Sequence, residues 1–247
     1  MTDLGPPASA LDTDPEYRAA VVDLFGVLAY GELTAFERLA ADAAMAPTID
    51  DKAALAGMAT AEYRHFVVIR DRLVEMGVDP QQAMTPFRRA YEDFHEHTAP
   101  SDWLEGMVKA YVGDGIGMDF YREIANFVDE DSRALVVSVC DDLGQSAFIV
   151  ERVRAAINED PRVGGRLALW GRRLVGEALS QAQRVAADRD ALSTLLVGGV
   201  DRPGTDLAEI GRMLARLTEN HARRMSCLLY TSPSPRDRTR SRMPSSA

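Results

Sequence analysis

Glu62 and His65 lie three residues apart in the stretch AEYRHF, an offset that puts both on one face of a helix. Their neighbours on that face are Leu55, Met58, Ile69, Leu73 and Met76. A carboxylate and an imidazole turned toward an apolar seam are costly unless something there needs them. A metal ion would. Glu32, 30 residues before Glu62, occupies a seam of the same kind, among Phe25, Leu28, Phe36 and Leu39.

The pattern recurs in the second half of the chain. Asp114 lies 28 residues before Asp142, and Asp142-x-x-Gln145 stands where the first half has Glu62-x-x-His65. The context AYGELTAFE around Glu32 is echoed by YVGDGIGMD around Asp114. Each half is then a helix with one inward carboxylate, followed by a helix with a carboxylate-x-x-polar pair. Paired iron or manganese ions need this supply of bridging carboxylates and nitrogen donors. The candidate ligands are Glu32, Glu62, His65, Asp114, Asp142 and Gln145. One Glu-x-x-His is weak evidence, because most such pairs are solvated helix surface. Four seam carboxylates at matched spacing would bury several unpaired charges if no metal offset them. Gln145 is the weaker ligand, since an amide carbonyl binds iron less well than an imidazole, and Asp reaches one methylene less far than Glu. The second metal is therefore expected to be held less tightly than the first.

Long helices must position these residues. Apolar residues recur at three- and four-residue steps from about 15 to 45, then along Leu55, Met58, Ile69, Leu73 and Met76, then along Met107, Tyr111, Met118 and Tyr121, and after VDEDS along Leu135, Val139 and Ile149 to Arg152 or Val153. A shorter segment, about 81 to 97, crosses over between the second and third. The expected fold is all-α: a four-helix bundle with one crossover connection over about 16–158, plus additional C-terminal helices over about 162–226. Residues 1–15, acidic and rich in Pro and Gly, read as a disordered arm. The tail CLLYTSPSPRDRTRSRMPSSA (227–247) shares no periodicity with what precedes it, and its start resembles a translated transposase sequencing adapter. The natural chain is expected to end its match near Ser226, with Cys227 non-native and the tail disordered.

Composition narrows the function. The chain has 247 residues, 46% hydrophobic and 27% charged, within the range of ordinary globular proteins. No apolar run approaches the roughly 18 residues of a membrane span, and the N-terminus lacks a signal-peptide pattern. With two cysteines there is no disulfide framework, so a cytoplasmic protein is expected. The net charge of −10 argues against generic nucleic-acid binding, although a local basic groove would escape that argument. Arg166, Arg172 and Arg173 are the best local cluster for phosphate contacts.

Other signals have plain readings. GDGIGMD (113–119) follows no strand, so it is no nucleotide loop; its glycines fit close helix approach. His95 and His97 read as an exposed crossover loop, His221 as surface or interhelical, and Cys140 as a small core residue. Trp170, Leu174, Glu177, Gln181 and Val185 form a mixed stripe that packs on the bundle or walls a pocket.

The stretches LAYGELTAFERLA, AEYRHF, TAPSDWLEGMVKAYVGDGI and LALWGRRLVGEALSQAQRV resemble the ferritin-like di-iron carboxylate proteins. More narrowly, they resemble the actinobacterial MiaE-like tRNA hydroxylases, over about residues 16 to 225. The resemblance implies a ferritin-like bundle, two irons and dioxygen as co-substrate, with manganese a possible substitute. It implies hydroxylation of the methylthio-isopentenyl-adenosine beside the tRNA anticodon, with electrons from an external reductase. It gives Glu32, Glu62 and His65 one half of the ligand set and Asp114 and Asp142 part of the other, with His expected where Gln145 stands. Two other readings are an iron-binding ferroxidase without organic substrate and a helical protein with a degenerate metal site.

Overall fold

Aspartate and threonine side chains start the long helices of this chain, whose computed structural model describes residues 10–140, 146–197 and 207–229. Helix α1 (Ala10–Thr13) is a single turn. Helix α2 (Pro15–Asp42) begins where Asp14 accepts from the Tyr17 amide at 2.9 Å, with Pro15 pre-set for the first turn. Helix α3 (Ile49–Glu75) begins at Thr48, whose hydroxyl accepts from the Asp51 amide at 3.1 Å and donates to the Asp51 carboxylate at 2.7 Å. It stops at Gly77, φ 71°, where the Val78 amide donates to Leu73 and the Gly77 amide to Val74. That is a Schellman closure, which needs a residue tolerant of the left-handed region.

The crossover is helical: α4 (Pro80–Met84), a short 3-10 turn and α5 (Arg88–His97). Asp102 caps α6 (Trp103–Ile124), and α7 (Glu130–Cys140) and α8 (Ser146–Glu159) follow. Asp160 caps α9 (Pro161–Asp188), and α10 (Asp190–Val197) and α11 (Leu207–Leu229) are the last helices among the described residues. Helices α2 and α3 form the most extensive pair, α6 packs on α2, and α8 and α9 pack on α6. Arg152 on α8 reaches Asp51 on α3 at 2.7 Å. The architecture is the expected all-α bundle with a crossover and added C-terminal helices.

The apolar interior has two parts. One collects Leu24, Phe25, Leu28, Ile69, Leu73 and Phe87; the other collects Leu39, Leu55, Met107, Val112, Ile149 and Leu167. Glu32 lies in sequence between Leu28 and Leu39, Glu62 between Met58 and Phe66, and Asp114 between Val112 and Met118. Each step passes from one apolar cluster to the other. The candidate ligands therefore sit at the seam between them.

Several expectations change in detail. The N-terminal arm is not wholly irregular, because α1 forms and Leu11 is buried against the core. His95 and His97 belong to α5 rather than to a loop. Within the C-terminal region expected to be helical over about 162–226, a break falls at Arg189, whose guanidinium forks onto the buried Asp23 carboxylate, with Nε 2.9 Å from Oδ2. The last helix runs three residues past Ser226, to Leu229. Its seam Leu217, His221, Arg224 demands a further contact at 228, and Leu228 is buried there. The segment Pro15–Met45 is, by length and composition, apolar enough to cross a membrane, contrary to the expectation that no run approaches this. Of its most apolar 18-residue window, 61% is buried inside the bundle, as in the core helix of a globular protein.

Candidate metal centre

Among the described residues, one group of potential ligands converges: Glu32 from α2 with Glu62 and His65 from α3. One donor atom from each lies within 4.8 Å of the others. The His65 Nδ1 atom is 3.4 Å from Glu32 Oε2 and 3.6 Å from Glu62 Oε2. Glu32 and Glu62 are only 4% and 6% exposed, and the Oε2 atom of each has no hydrogen-bond partner. Two buried carboxylate oxygens left this way are expensive for a fold to keep. A cation between them resolves the cost, so the residues present fit a metal.

The electrostatics agree with the geometry. Burial pushes the Glu62 carboxyl up to about 7, with Glu32 adding to the rise and His65 opposing it. The Glu32 and Glu62 carboxylates hold the His65 imidazole protonated up to about 10, against the opposing effect of burial. Asp114, on α6, meets the Glu62 carboxyl, and burial together with that contact raises its pKa well above the usual carboxylate range. Glu62, His65 and Asp114 thus favour their protonated forms at a place where a cation would replace the protons.

The structure brings together Glu32, Glu62 and His65, with Asp114 against Glu62. Asp142 and Gln145 lie outside the described residues. The helix leading to them ends at the buried Cys140, whose Sγ is 3.9 Å from the Met118 carbonyl of α6. Cys140 is thus the small core residue its position suggested.

The basic cluster is divided. Arg166 is bound to Asp102 at 2.7 Å and Glu105 at 2.6 Å. Arg173 donates to the His97 carbonyl and lies over the Trp170 ring. Arg172 is exposed. The mixed stripe on α9 packs rather than lining a ligand pocket: Trp170 donates to the Glu105 carbonyl at 2.9 Å, and Glu177 pairs with His97 at 2.8 Å.

Two features escaped the sequence reading. Tyr121 of α6 is buried and Tyr91 of α5 partly so, with hydroxyls 2.8 Å apart, and Tyr91 donates to the Val27 carbonyl at 3.2 Å. Burial pushes Tyr91 up to about 12, and the nearby Glu32 charge adds to the rise. Tyr121 follows Asp114 by seven residues, a helical spacing that places it on the same face; its partner Tyr91 gave no such signal. The second feature is the docking of α11. A side chain at Gly115 would strike Arg224, 2.5 Å away, and one at Gly171 would strike Met225, 2.4 Å away. Arg224 passes over Gly115 to reach Asp119 at 2.6 Å. Of the three glycines of GDGIGMD, Gly115 therefore does serve a close helix approach, whereas a side chain at Gly113 would meet nothing within 4 Å and one at Gly117 only Tyr121 of the same helix at 3.7 Å.

No curated protein matches the sequence. Six solved chains match the fold. One is a Synechococcus protein with aldehyde deformylating oxidase activity, at a TM-score of 0.67 and 18% identity, covering 92% of this chain and 98% of that one. A family model, the ferritin-like domain of actinomycetes, matches residues 15–199. That span takes in the bundle, the crossover and every candidate ligand, and the chain belongs to the ferritin-like domain family of actinomycetes.

Proposed function

We propose that the chain is an oxygen-dependent di-iron hydroxylase acting on the isopentenyl-type side chain of a tRNA adenosine. The observation that carries the metal half of this reading is the buried convergence of Glu32, Glu62 and His65, with Asp114 against Glu62. Bound iron supplies the activation of dioxygen needed to hydroxylate an unactivated C–H bond. Glu32, Glu62, His65 and Asp114 would hold it, with Asp142 and Gln145 completing the set. The same donors suit manganese. The apolar clusters on either side keep bulk water from the site and offer a dry wall for an isopentenyl group. Tyr91 and Tyr121 close the Glu32 side with a satisfied hydrogen-bonded pair. Electrons come from a separate reductase, because the sequence shows no flavin or nicotinamide motif.

The tRNA half rests on the sequence resemblance. Arg172 is exposed for phosphate contact, whereas docking RNA on Arg166 and Arg173 would have to displace their present partners. That engagement, with the net charge of −10, favours a second reading: oxidation of a small apolar substrate at the same centre. Nucleoside mass spectrometry decides between them. Iron-loaded protein, reductant and air should add one oxygen to the isopentenyl nucleoside of tRNA. Dioxygen consumption that leaves that nucleoside unchanged rules out the tRNA substrate, and oxygen added to a supplied small apolar compound would then assign the centre to that class.

A further inference from the structure

A second buried polar site adjoins the metal centre on the α5 side. Both ring nitrogens of His95 are sealed from solvent and have no hydrogen-bond partner. The Phe94 and Tyr91 rings flank the imidazole, with centroids 5.4 and 6.5 Å away. Lys109 is 5% exposed, lies 5.4 Å above the Phe94 ring and donates to the Thr98 carbonyl at 2.8 Å. That bond uses one of its three protons. Asp42, also buried, stands across from Lys109, and the charge of Arg38 reaches Asp42, Lys109 and His95 alike.

Two contacts fix where this cluster lies. The hydroxyl contact of Tyr91 with Tyr121 and the bond of Lys109 to Thr98 hold α5 antiparallel to α6. His95 lies between them, level with the stretch of α6 that carries Gly113 and Asp114. On α2, Tyr91 abuts Gly31 and His95 feels Arg38, so His95 faces the turn just beyond Glu32. Gly106, Lys109 and Gly113 share one strip of α6, at steps of three and four residues. Asp42 fills the space at Gly106, its Oδ2 only 2.9 Å from where a side-chain carbon would stand. At Gly113 nothing lies within 4 Å of that position. Next to Asp114 the strip thus leaves room for at least a methyl-sized group at Gly113.

We propose that His95 and Lys109 form the polar end of a buried subsite for the carboxylate of a small monocarboxylic acid, its carbon chain running along the α6 strip past Gly113. Burial, with the Lys109 and Arg38 charges, lowers the pKa of His95 to about 3. The imidazole is therefore neutral at pH 7 and offers one N–H to an oxygen. Lys109 brings a buried positive charge to the site, while Arg38 stands at its half-exposed edge beside Glu37 at 3.9 Å, and a single carboxylate can meet the Lys109 ammonium. The flanking Tyr91 and Phe94 rings suit an aliphatic chain rather than a hydrated ion. The subsite is independent of the metal reading and can be tested in metal-free protein.

The experiment is titration of metal-free full-length protein with hexanoate, hexanol and inorganic phosphate, by calorimetry and by 15N spectra of the histidine rings. Hexanoate should bind one to one and move the His95 ring resonances. Hexanol, with the same chain and no charge, and phosphate should bind at least ten-fold more weakly. Lys109→Met and His95→Phe should each weaken hexanoate at least ten-fold, whereas His95→Gln, which keeps a donor and an acceptor, should stay within about three-fold. If Lys109→Met does not fold, Arg38→Met, at a half-exposed position, supplies the charge test with the same expected direction. Absence of hexanoate binding, or equal binding by hexanol or by the Phe variant, overturns the proposal and leaves His95 a structural residue. Iron titration of the same samples is a separate readout, so either reading can fail alone.

Discussion

Glu62 carries opposite demands at the scale of a single residue. As a ligand it must be ionised, yet burial and the Glu32 charge favour its protonated form in the absence of metal. Glu62→Gln should therefore make the metal-free protein more stable, by about 1–3 kcal/mol, while weakening iron binding by more than about 10-fold. Calorimetric unfolding with and without chelator, alongside iron titration, reads both effects; a variant that loses stability without metal would show the carboxylate to be a structural partner. His95 carries a different signature. The unfolded chain takes up its proton near pH 6.5 and the folded chain only near 3, so folded-state stability from this residue is present above 6.5 and lost as pH falls. The loss is at most about 1.4 kcal/mol per pH unit across that window. Urea unfolding from pH 7 to 4 should show a shallower acid decline in His95→Phe than in the parent. Glu32, Glu62 and His65 were legible because seam spacing exposes a polar residue among apolar ones. His95 and Lys109 were not, since α5 spans under three turns and sets no clear period for α6 to be read against.

Helices were legible where a cap and a long apolar stripe coincide. Asp14-Pro15, Thr48, Asp102 and Asp160-Pro161 mark four starts, and each cap is made. Breaks set by tertiary contacts were not legible. The end of α9 at Arg189 reflects the pull of Asp23, 166 residues earlier, and no local signal announces it. Glycines show the same divide. A side chain at Gly26 would stand 2.3 Å from the Ala83 carbonyl oxygen of α4, whereas one at Gly57 on α3 would meet nothing. Gly26→Ala should cost about 1–3 kcal/mol through overpacking against backbone. Gly57→Ala should gain up to about 1 kcal/mol from helix propensity. Chemical denaturation of the two variants checks the contrast, and equal effects would mean that α4 does not press on α2 as the structure shows.

Across the whole molecule, fold class was plain from periodicity, but the edges of the fold were not. Low complexity and the adapter resemblance set the end of the last helix at Ser226, whereas its seam continues to Leu228, which is fully buried beside Ile149 and Val153. Arg154 of α8 also donates to the Cys227 carbonyl, with Nε at 2.9 Å. Leu228→Ala should lower stability by about 2–5 kcal/mol, seen as a reduced urea midpoint with an unchanged slope. An effect below about 0.5 kcal/mol, the range of ordinary surface changes, would place that last turn outside the core.

The seating of Arg224 over Gly115 and Met225 over Gly171 also orders the steps of folding. Those two hollows belong to different helices, α6 and α9, and they face α11 together only once α6 and α9 lie side by side. The final 23-residue helix has no complete berth before then. A chain synthesised from its N-terminus can thus join α2 to α3 and lay α6 and α9 beside them while α11 is still unmade. The converging residues Glu32, Glu62, His65 and Asp114 all precede α11 in the chain, so they are synthesised before the last helix is. Docking of α11 is then expected to be a late step of folding, since its seat is made by two helices that must first meet.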